Sequence, residues 1–303
     1  MLKMNNLRFY TSPPIPFSGC SMPLQEASYV VIGVPYDKTS TYRPGSRFAP
    51  AAIREASVNI ETYSLRSDMD VEDVKICDIG DLEIVEDKNE TLNRLKLVLS
   101  DVIKAAKVPI VIGGEHTITY GAAQAYGKDI AIINFDAHLD LRDEYLKDRL
   151  SHTTFMRRLS EEIGPDRIIE VGTRAVCKDE LKYAKEVGLT YISTYEIRRL
   201  GVGKVAETIK LRLSKFGRIY VTIDMDVLDP SYAPAVANPE GDGLSSNTLI
   251  TMIRSICNNK VVGLDLVEVT PHYDNGVTAI QSAKILFEAI CAIENSRKIA
   301  NVE

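Results

Sequence analysis

The sequence has no C-x-x-C pair, no lysine or arginine run and no apolar stretch long enough to span a membrane. It also lacks internal repeats, linkers and low-complexity segments. Its five cysteines, Cys20, Cys77, Cys177, Cys257 and Cys291, are odd in number and scattered. That argues against a disulfide framework or zinc ribbon and for reduced, buried thiols in a reducing compartment. Without a basic stripe, a nucleic-acid backbone is not the partner. No basic-then-apolar signal segment opens the chain, so the expectation is a soluble cytoplasmic protein with no membrane partner. Gly201-Val202-Gly203-Lys204 lacks the P-loop pattern and reads as a turn before a helix.

What is present is an ample core. Of 303 residues 45% are apolar, and the formal net charge of −6 is spread along the chain. Short, near-continuous β-branched runs recur at Tyr29–Gly33, Val74–Ile79, Val108–Ile112, Ile130–Phe135, Arg167–Val171, Leu189–Ile192, Ile219–Ile223 and Val261–Val267. Runs of this kind suit strands buried on both faces of a parallel sheet. Helical stretches alternate with them, at Pro50–Ala56, Thr91–Lys107, Thr153–Ile163, Lys178–Val187, Lys204–Phe216, Ser246–Asn258 and Thr278–Ile293. The alternation predicts one α/β domain over residues 1–303: three layers, with a mostly parallel central sheet and helices on both faces.

Chemistry concentrates where strands end. Of only four histidines, His116 follows one strand in Gly113-Gly114-Glu115-His116-Thr117. The two glycines permit a tight turn there. A second strand runs into Asp136-Ala137-His138-Leu139-Asp140. In extended backbone residues two apart share a side, so Asp136, His138 and Asp140 can converge. A third runs into Asp224-Met225-Asp226, where two carboxylates on one side repel unless a cation or proton lies between them. Open α/β sheets place ligands at these carboxyl ends. His116, Asp136, His138, Asp140, Asp224 and Asp226 are therefore candidate metal ligands. Two imidazoles and four carboxylates suit two ions, and an oxygen-rich set without thiolates favours Mn²⁺, with other divalent metals able to replace it. Such a pair of ions, roughly 3.5–4 Å apart, equips a hydrolase. His152, in Ser151-His152-Thr153-Thr154, and Glu268, closing the last strand, supply further partners. Glu268 either caps a turn or, aimed at the crevice, receives a cation. His272 reads as structural or exposed, Asp229-Pro230 as a turn, and Tyr42-Arg43-Pro44-Gly45 as a loop near the site or a subunit interface.

In order along the chain stand GVPYDKTSTYRPGSRFAP, GGEHT, DAHLD, SHTT, DMDVLDP and DLVEVTP, spanning about Val31 to Pro271. Together they resemble the ureohydrolase family of arginase, agmatinase and their relatives. DAHLDLRDEY followed by SH-x-T-x-x-RR is most like agmatinase. The resemblance implies one metal held by His116, Asp136, Asp140 and Asp224, and a second by Asp136, His138, Asp224 and Asp226. It further implies attack of a metal-bridging hydroxide on a guanidinium carbon, releasing urea and an amine. Asp140 would orient the hydroxide, His152 serve proton transfer and Glu268 anchor the guanidinium. The implied assembly is a homotrimer or homohexamer.

Two positions depart from the family's pattern. Thr153 stands where Gly or Ala is usual after the histidine, and Val236-Ala237-Asn238 replaces Gly-Thr-Gly before Pro239-Glu240. The stretch that binds an α-carboxylate and α-amine in arginases is Leu141-Arg142-Asp143-Glu144-Tyr145 here. An acidic turn of this kind either is merely solvated or uses Asp143 or Glu144 to favour a small cationic guanidino substrate, agmatine, which would yield urea and putrescine. Arginine, guanidinobutyrate and formimidoylglutamate are the rival substrates, and a non-catalytic metal binder is the rival of another class.

Overall fold

A computed structural model describes residues 10–12, 15–19 and 21–300; Cys20 lies outside them. The strands are β1 (Thr11–Ser12), β2 (Tyr29–Val34), β3 (Tyr63–Ser64), β4 (Met69–Asp70), β5 (Ile76–Leu82), β6 (Val108–Gly113), β7 (Ala131–Phe135), β8 (Ile168–Thr173), β9 (Thr190–Ser193), β10 (Ile219–Asp224) and β11 (Val261–Val267). The main sheet has nine strands in the order β1-β5-β2-β6-β11-β10-β7-β8-β9. Every pairing from β5 to β9 is parallel, and the short edge strand β1 is antiparallel to β5. β3 and β4 form a separate two-stranded hairpin.

The helices are α1 (Ala49–Ser57), α2 (Lys88–Lys104), α3 (Ile118–Gln124), α4 (Phe155–Ile163), α5 (Lys178–Val187), α6 (Thr194–Leu200), α7 (Val202–Leu213), α8 (Ser246–Ile256) and α9 (Val277–Ala300). α2 shows why such segments form. Asp87 caps it by accepting from the N–H groups of Asn89 and Glu90, and Leu92, Leu95, Val98, Leu99 and Val102 bury one stripe. Alternate residues of each strand feed two cores. Tyr29 and Val31 pack with α1 and α6–α9, and Val30, Ile32 and Val34 with α2–α5. This is the expected three-layer arrangement. The eight strand runs all appear, with ends shifted by at most three residues; α3 and α6 had no sequence expectation. No helix of the described residues is long and apolar enough to cross a membrane.

The strand order matters for the site. β6 and β7 are consecutive in the chain yet lie apart, with β11 and β10 inserted between them. The carboxyl ends of four adjacent strands, β6, β11, β10 and β7, therefore meet over one crevice.

A buried ion pair clamps the other half of the sheet. The Arg54 guanidinium on α1 is 1% exposed. It donates to both oxygens of Asp78 at 2.8 and 2.9 Å, and also to Asp81 and the Gly80 carbonyl. Deleting one partner of such a pair strands a buried charge. Arg54→Ala is expected to cost about 3–5 kcal/mol, read by equilibrium chemical denaturation. A loss below ~1 kcal/mol would show that the clamp is dispensable.

Candidate metal centre

Each strand end contributes its part. After β6 the backbone of Gly114 passes so close to β2 that an added Cβ would lie 1.8 Å from the Tyr36 carbonyl oxygen. Neither Gly113 nor Gly114 has a positive φ. Close approach, rather than turn freedom, requires glycine at Gly114. The turn delivers His116 into the crevice fully buried.

β7 stops at Phe135, and Asp136–Asp140 then leave the sheet as irregular backbone, with Asp140 at φ 51°. Asp224 ends β10, and Met225–Val227 form one 3₁₀ turn, its start capped by Asp224 accepting from the Asp226 N–H at 2.8 Å. The expected alternation of extended backbone is thus corrected: turns, not pleats, bring these carboxylates together.

The convergence itself stands. His116 Nδ1 lies 3.1 Å from Asp136 Oδ2, 3.5 Å from Asp140 Oδ2 and 3.2 Å from Asp224 Oδ2. His138 Nδ1 lies 3.4 Å from Asp136 Oδ1 and 3.0 Å from Asp226 Oδ2. Donor atoms at right angles around an ion roughly 2.1 Å away sit about 3 Å apart. Two sets therefore have metal-ligand spacing, His116/Asp136/Asp140 and Asp136/His138/Asp226, and Asp136 belongs to both. His116 Nδ1 is buried and without a hydrogen-bond partner, the state of an imidazole nitrogen meant for an ion.

The electrostatics agree. Burial pulls the His116 imidazole down, but Asp136 and Asp224 outweigh it and hold its pKa well above the ordinary value. His138 is raised in the same way against its own burial, by Asp226 and Asp136. Burial and the Asp136 charge push Asp140 well above the carboxylate range, and burial with Asp226 does the same to Asp224. Without a cation the crevice holds protons instead.

The remaining expected residues divide. His152 is 5% exposed, with Nδ1 3.0 Å from Thr39 Oγ1 and Nε2 3.3 Å from Thr41 Oγ1. Burial, then the neighbouring His116 and His138, bring its pKa down to about 4. Thr153 is not among the positive-φ residues, so its β-branch is not strained. Glu268 does have φ 66°, a conformation uncommon for a non-glycine residue and found at functional sites. Its Oε1 accepts from the His116 N–H at 2.7 Å, and its Oε2 is buried without a partner. Burial first, then the Glu115 charge, push its pKa up to about 8.

A cavity of about 480 Å³ opens over His138, Asp140 and His152. Asp143 and Glu144 are not among its lining residues. The Asp143 carboxylate is turned toward arginines instead: Arg158 at 2.7 Å, Arg149 at 3.0 Å and Arg157 at 3.6 Å. Glu144 is exposed. The acidic receptor expected at this turn is not built by either.

The cavity wall contains Arg142, Tyr145, Arg174, Cys177, Glu180, Asn238 and Glu240, none of them singled out as lining residues from the sequence except through their loops. Both Glu180 oxygens accept backbone N–H groups, from Leu141 at 3.1 Å and Cys177 at 3.0 Å. Arg174, just past β8, donates to the carbonyls of Asp226, Glu240 and Gly241 at 2.6–2.8 Å, and its own N–H donates to Ala137 at 2.8 Å. One residue thus staples three loops, two through its side chain and one through its backbone. The strand-end rule applied to β8 would have found it. The unusual Val236-Ala237-Asn238 segment is also settled. Val236 pairs with Val269, Ala237 N–H donates to the Glu268 carbonyl at 3.2 Å, and Asn238 faces the cavity.

Known proteins share this architecture. The family described as "Arginase family" matches residues 27–292. The agmatinase of Bacillus anthracis is 40% identical over 275 residues, covering 88% of this chain and 92% of its own. The N(1)-aminopropylagmatine ureohydrolase of Thermococcus kodakarensis is 34% identical over 273 residues, covering 89% and 92%. The crystal structure of agmatine ureohydrolase of Thermoplasma volcanium superposes with a TM-score of 0.89 at 36% identity, covering 97% of this chain and 99% of that one.

The raised pKa values give a sign for metal uptake. Burial and neighbouring charge raise the proton affinity of His116, His138, Asp140 and Asp224, so a cation entering the cluster competes with protons there. Mn²⁺ binding to the stripped protein is expected to release protons and to weaken as pH falls. Calorimetry in two buffers of different ionisation enthalpy measures this, and an enthalpy independent of buffer would contradict it.

Proposed function

The chain belongs to the arginase family and is a ureohydrolase most like agmatinase, and from that premise we propose that it hydrolyses agmatine to urea and putrescine with two Mn²⁺ held by His116, Asp136, His138, Asp140, Asp224 and Asp226. The observation that carries the reading is the pairing of this cluster with Glu268, whose buried Oε2 has no partner. A guanidinium presents parallel N–H donors, and a desolvated carboxylate beside the cluster suits them. When bound, two divalent ions supply Lewis acidity and bring a water's pKa near neutral.

The protein's own groups do the rest in this reading. Glu268 holds the guanidinium. Asp140 accepts a proton from the attacking water and fixes its direction. His152, neutral with its pKa near 4, is free to take up or relay a proton toward the departing amine, while Thr39 and Thr41 fix its ring.

The tail of the substrate meets the cavity wall. Glu240 lines the cavity with its carboxylate half-exposed and its Oε1 3.9 Å from His138 Nε2. It suits a terminal ammonium, and Arg174 fixes its loop. Arg142, 5.3 Å from the Tyr145 ring centroid, supports the second reading: its guanidinium favours a carboxylate tail, as in guanidinobutyrate or arginine.

Steady-state assays after Mn²⁺ loading are expected to give the highest kcat/KM on agmatine among agmatine, arginine, guanidinobutyrate and formimidoylglutamate. Faster turnover of arginine rejects agmatine, and no urea from any of them rejects catalysis. Glu240→Gln is expected to raise the agmatine KM about five- to thirty-fold, the worth of an ion pair of about 1–2 kcal/mol, with the guanidinobutyrate KM unchanged or lower. An equal rise for both substrates removes Glu240 as the ammonium receptor.

A further inference from the structure

Behind His116, on the side away from the cavity, lies a polar chain that the reaction does not use. His116 Nε2 is 2.9 Å from Thr222 Oγ1. Thr222 lies on β10 directly across from Asp265 on β11, and its Oγ1 is 3.4 Å from Thr119 Oγ1. Thr119 Oγ1 and the Tyr220 hydroxyl donate to Asp265 Oδ2, each at 2.8 Å. All five side chains are buried, with 0% exposure for His116, Thr119, Tyr220, Thr222 and Asp265. An acid in mid-strand, facing the sheet interior, contributes nothing to an apolar core and is kept at a cost.

The proton arithmetic has one direction. Asp265 Oδ2 accepts from the Thr119 and Tyr220 hydroxyls, so both point their protons toward it. Thr119, having donated to Asp265, offers only lone pairs to Thr222, so Thr222 donates to Thr119 and has only lone pairs left for His116. The His116 Nε2 must carry the hydrogen and donate, which leaves Nδ1 with a free lone pair toward Asp136, Asp140 and Asp224.

We infer that Thr222 and Asp265 are positioning residues that fix the His116 tautomer and ring orientation for metal binding. This rests on His116 being a metal ligand. It goes beyond that reading by assigning control of one ion to a hydroxyl and a carboxylate that touch neither metal nor substrate. His138 has no such backing: its Nε2 faces the cavity and Glu240. The two imidazoles are therefore set differently, and loss of the relay should affect one ion only.

The test is Mn²⁺ titration by calorimetry of the full chain stripped with chelator, with thermal melting of the metal-free protein as the folding control. Thr222→Val keeps the shape and removes the hydroxyl. It is expected to weaken one of two Mn²⁺ sites by about ten- to a hundred-fold and leave the other unchanged. Thr222→Ser, which restores the hydroxyl, should bind like the wild type. Asp265→Asn, of the same size but bearing N–H donors, should weaken the same site. Wild-type affinity at both sites in T222V, equal loss in T222V and T222S, or an unchanged D265N each overturns the relay. A wild-type chain that binds no Mn²⁺ overturns the metal reading as well, so the two failures are distinguishable.

Discussion

Four aspartates crowded into a dry crevice repel one another, and the upper end of this molecule is organised around neutralising that repulsion. Asp136, Asp140, Asp224 and Asp226 are each at most 7% exposed and gather around two imidazole nitrogens. Water cannot screen charges at that depth, so protons or cations must. Two divalent ions would balance the four carboxylate charges and still polarise a water, which protons cannot do. The same constraint accounts for the neighbours. Glu268 carries a raised pKa because the crevice is dry and Glu115 is close, and His152 stays neutral because burial and two further imidazoles oppose a third positive charge.

The sheet makes this crowding possible. Inserting β11 and β10 between β6 and β7 sets four strand ends side by side, and each ends in a different backbone device. Gly114 approaches Tyr36 too closely for a side chain, Asp140 and Glu268 take left-handed φ, and Asp224 caps a 3₁₀ turn. Such positions are unfavourable in isolation and persist because the surrounding layers over-determine them. Arg174 adds to this rigidity by binding carbonyls of the Asp226 and Glu240 loops together.

The strands were legible because burial on both faces writes a nearly unbroken apolar run, as in Ile219–Ile223 or Val108–Ile112. The metal cluster was legible because the polar residues follow those runs at once. α3 was not: seven residues are too short for a periodic stripe, and its Gly121 is there because a Cβ would lie 2.9 Å from the Leu92 carbonyl on α2, a contact far away in sequence. The sequence leaves Asp143 and Glu144 open as either a solvated turn or a cation receptor, because acidity is visible in a sequence while its partners are not. Arg149, Arg157 and Arg158 claim Asp143, whereas Glu240 reaches the cavity from a loop about a hundred residues later. Hydrogen bonds to backbone carbonyls, like those of Arg174, leave no pattern in residue types at all.

Buried acids outside the ligand set show how the molecule tells a ligand from a support. Glu115 accepts from the Thr39 N–H, the Thr39 hydroxyl and the Thr117 hydroxyl, all within 2.6 Å. Asp265 Oδ2 collects Thr119 and Tyr220. Glu170 accepts from Asn134 at 2.7 Å, and burial followed by the Asp136 charge raises its pKa well above the ordinary value, so it need not carry charge at all. None of these three needs a cation. They are answered by hydroxyls, an amide or a proton, and two of them pass their orientation on, Asp265 toward His116 and Glu170 through Asn134 toward Asp136, 3.3 Å from the same amide. A carboxylate in this crevice is a candidate ligand where imidazoles and other carboxylates are its nearest company, and a support where its contacts are hydroxyl or amide donors.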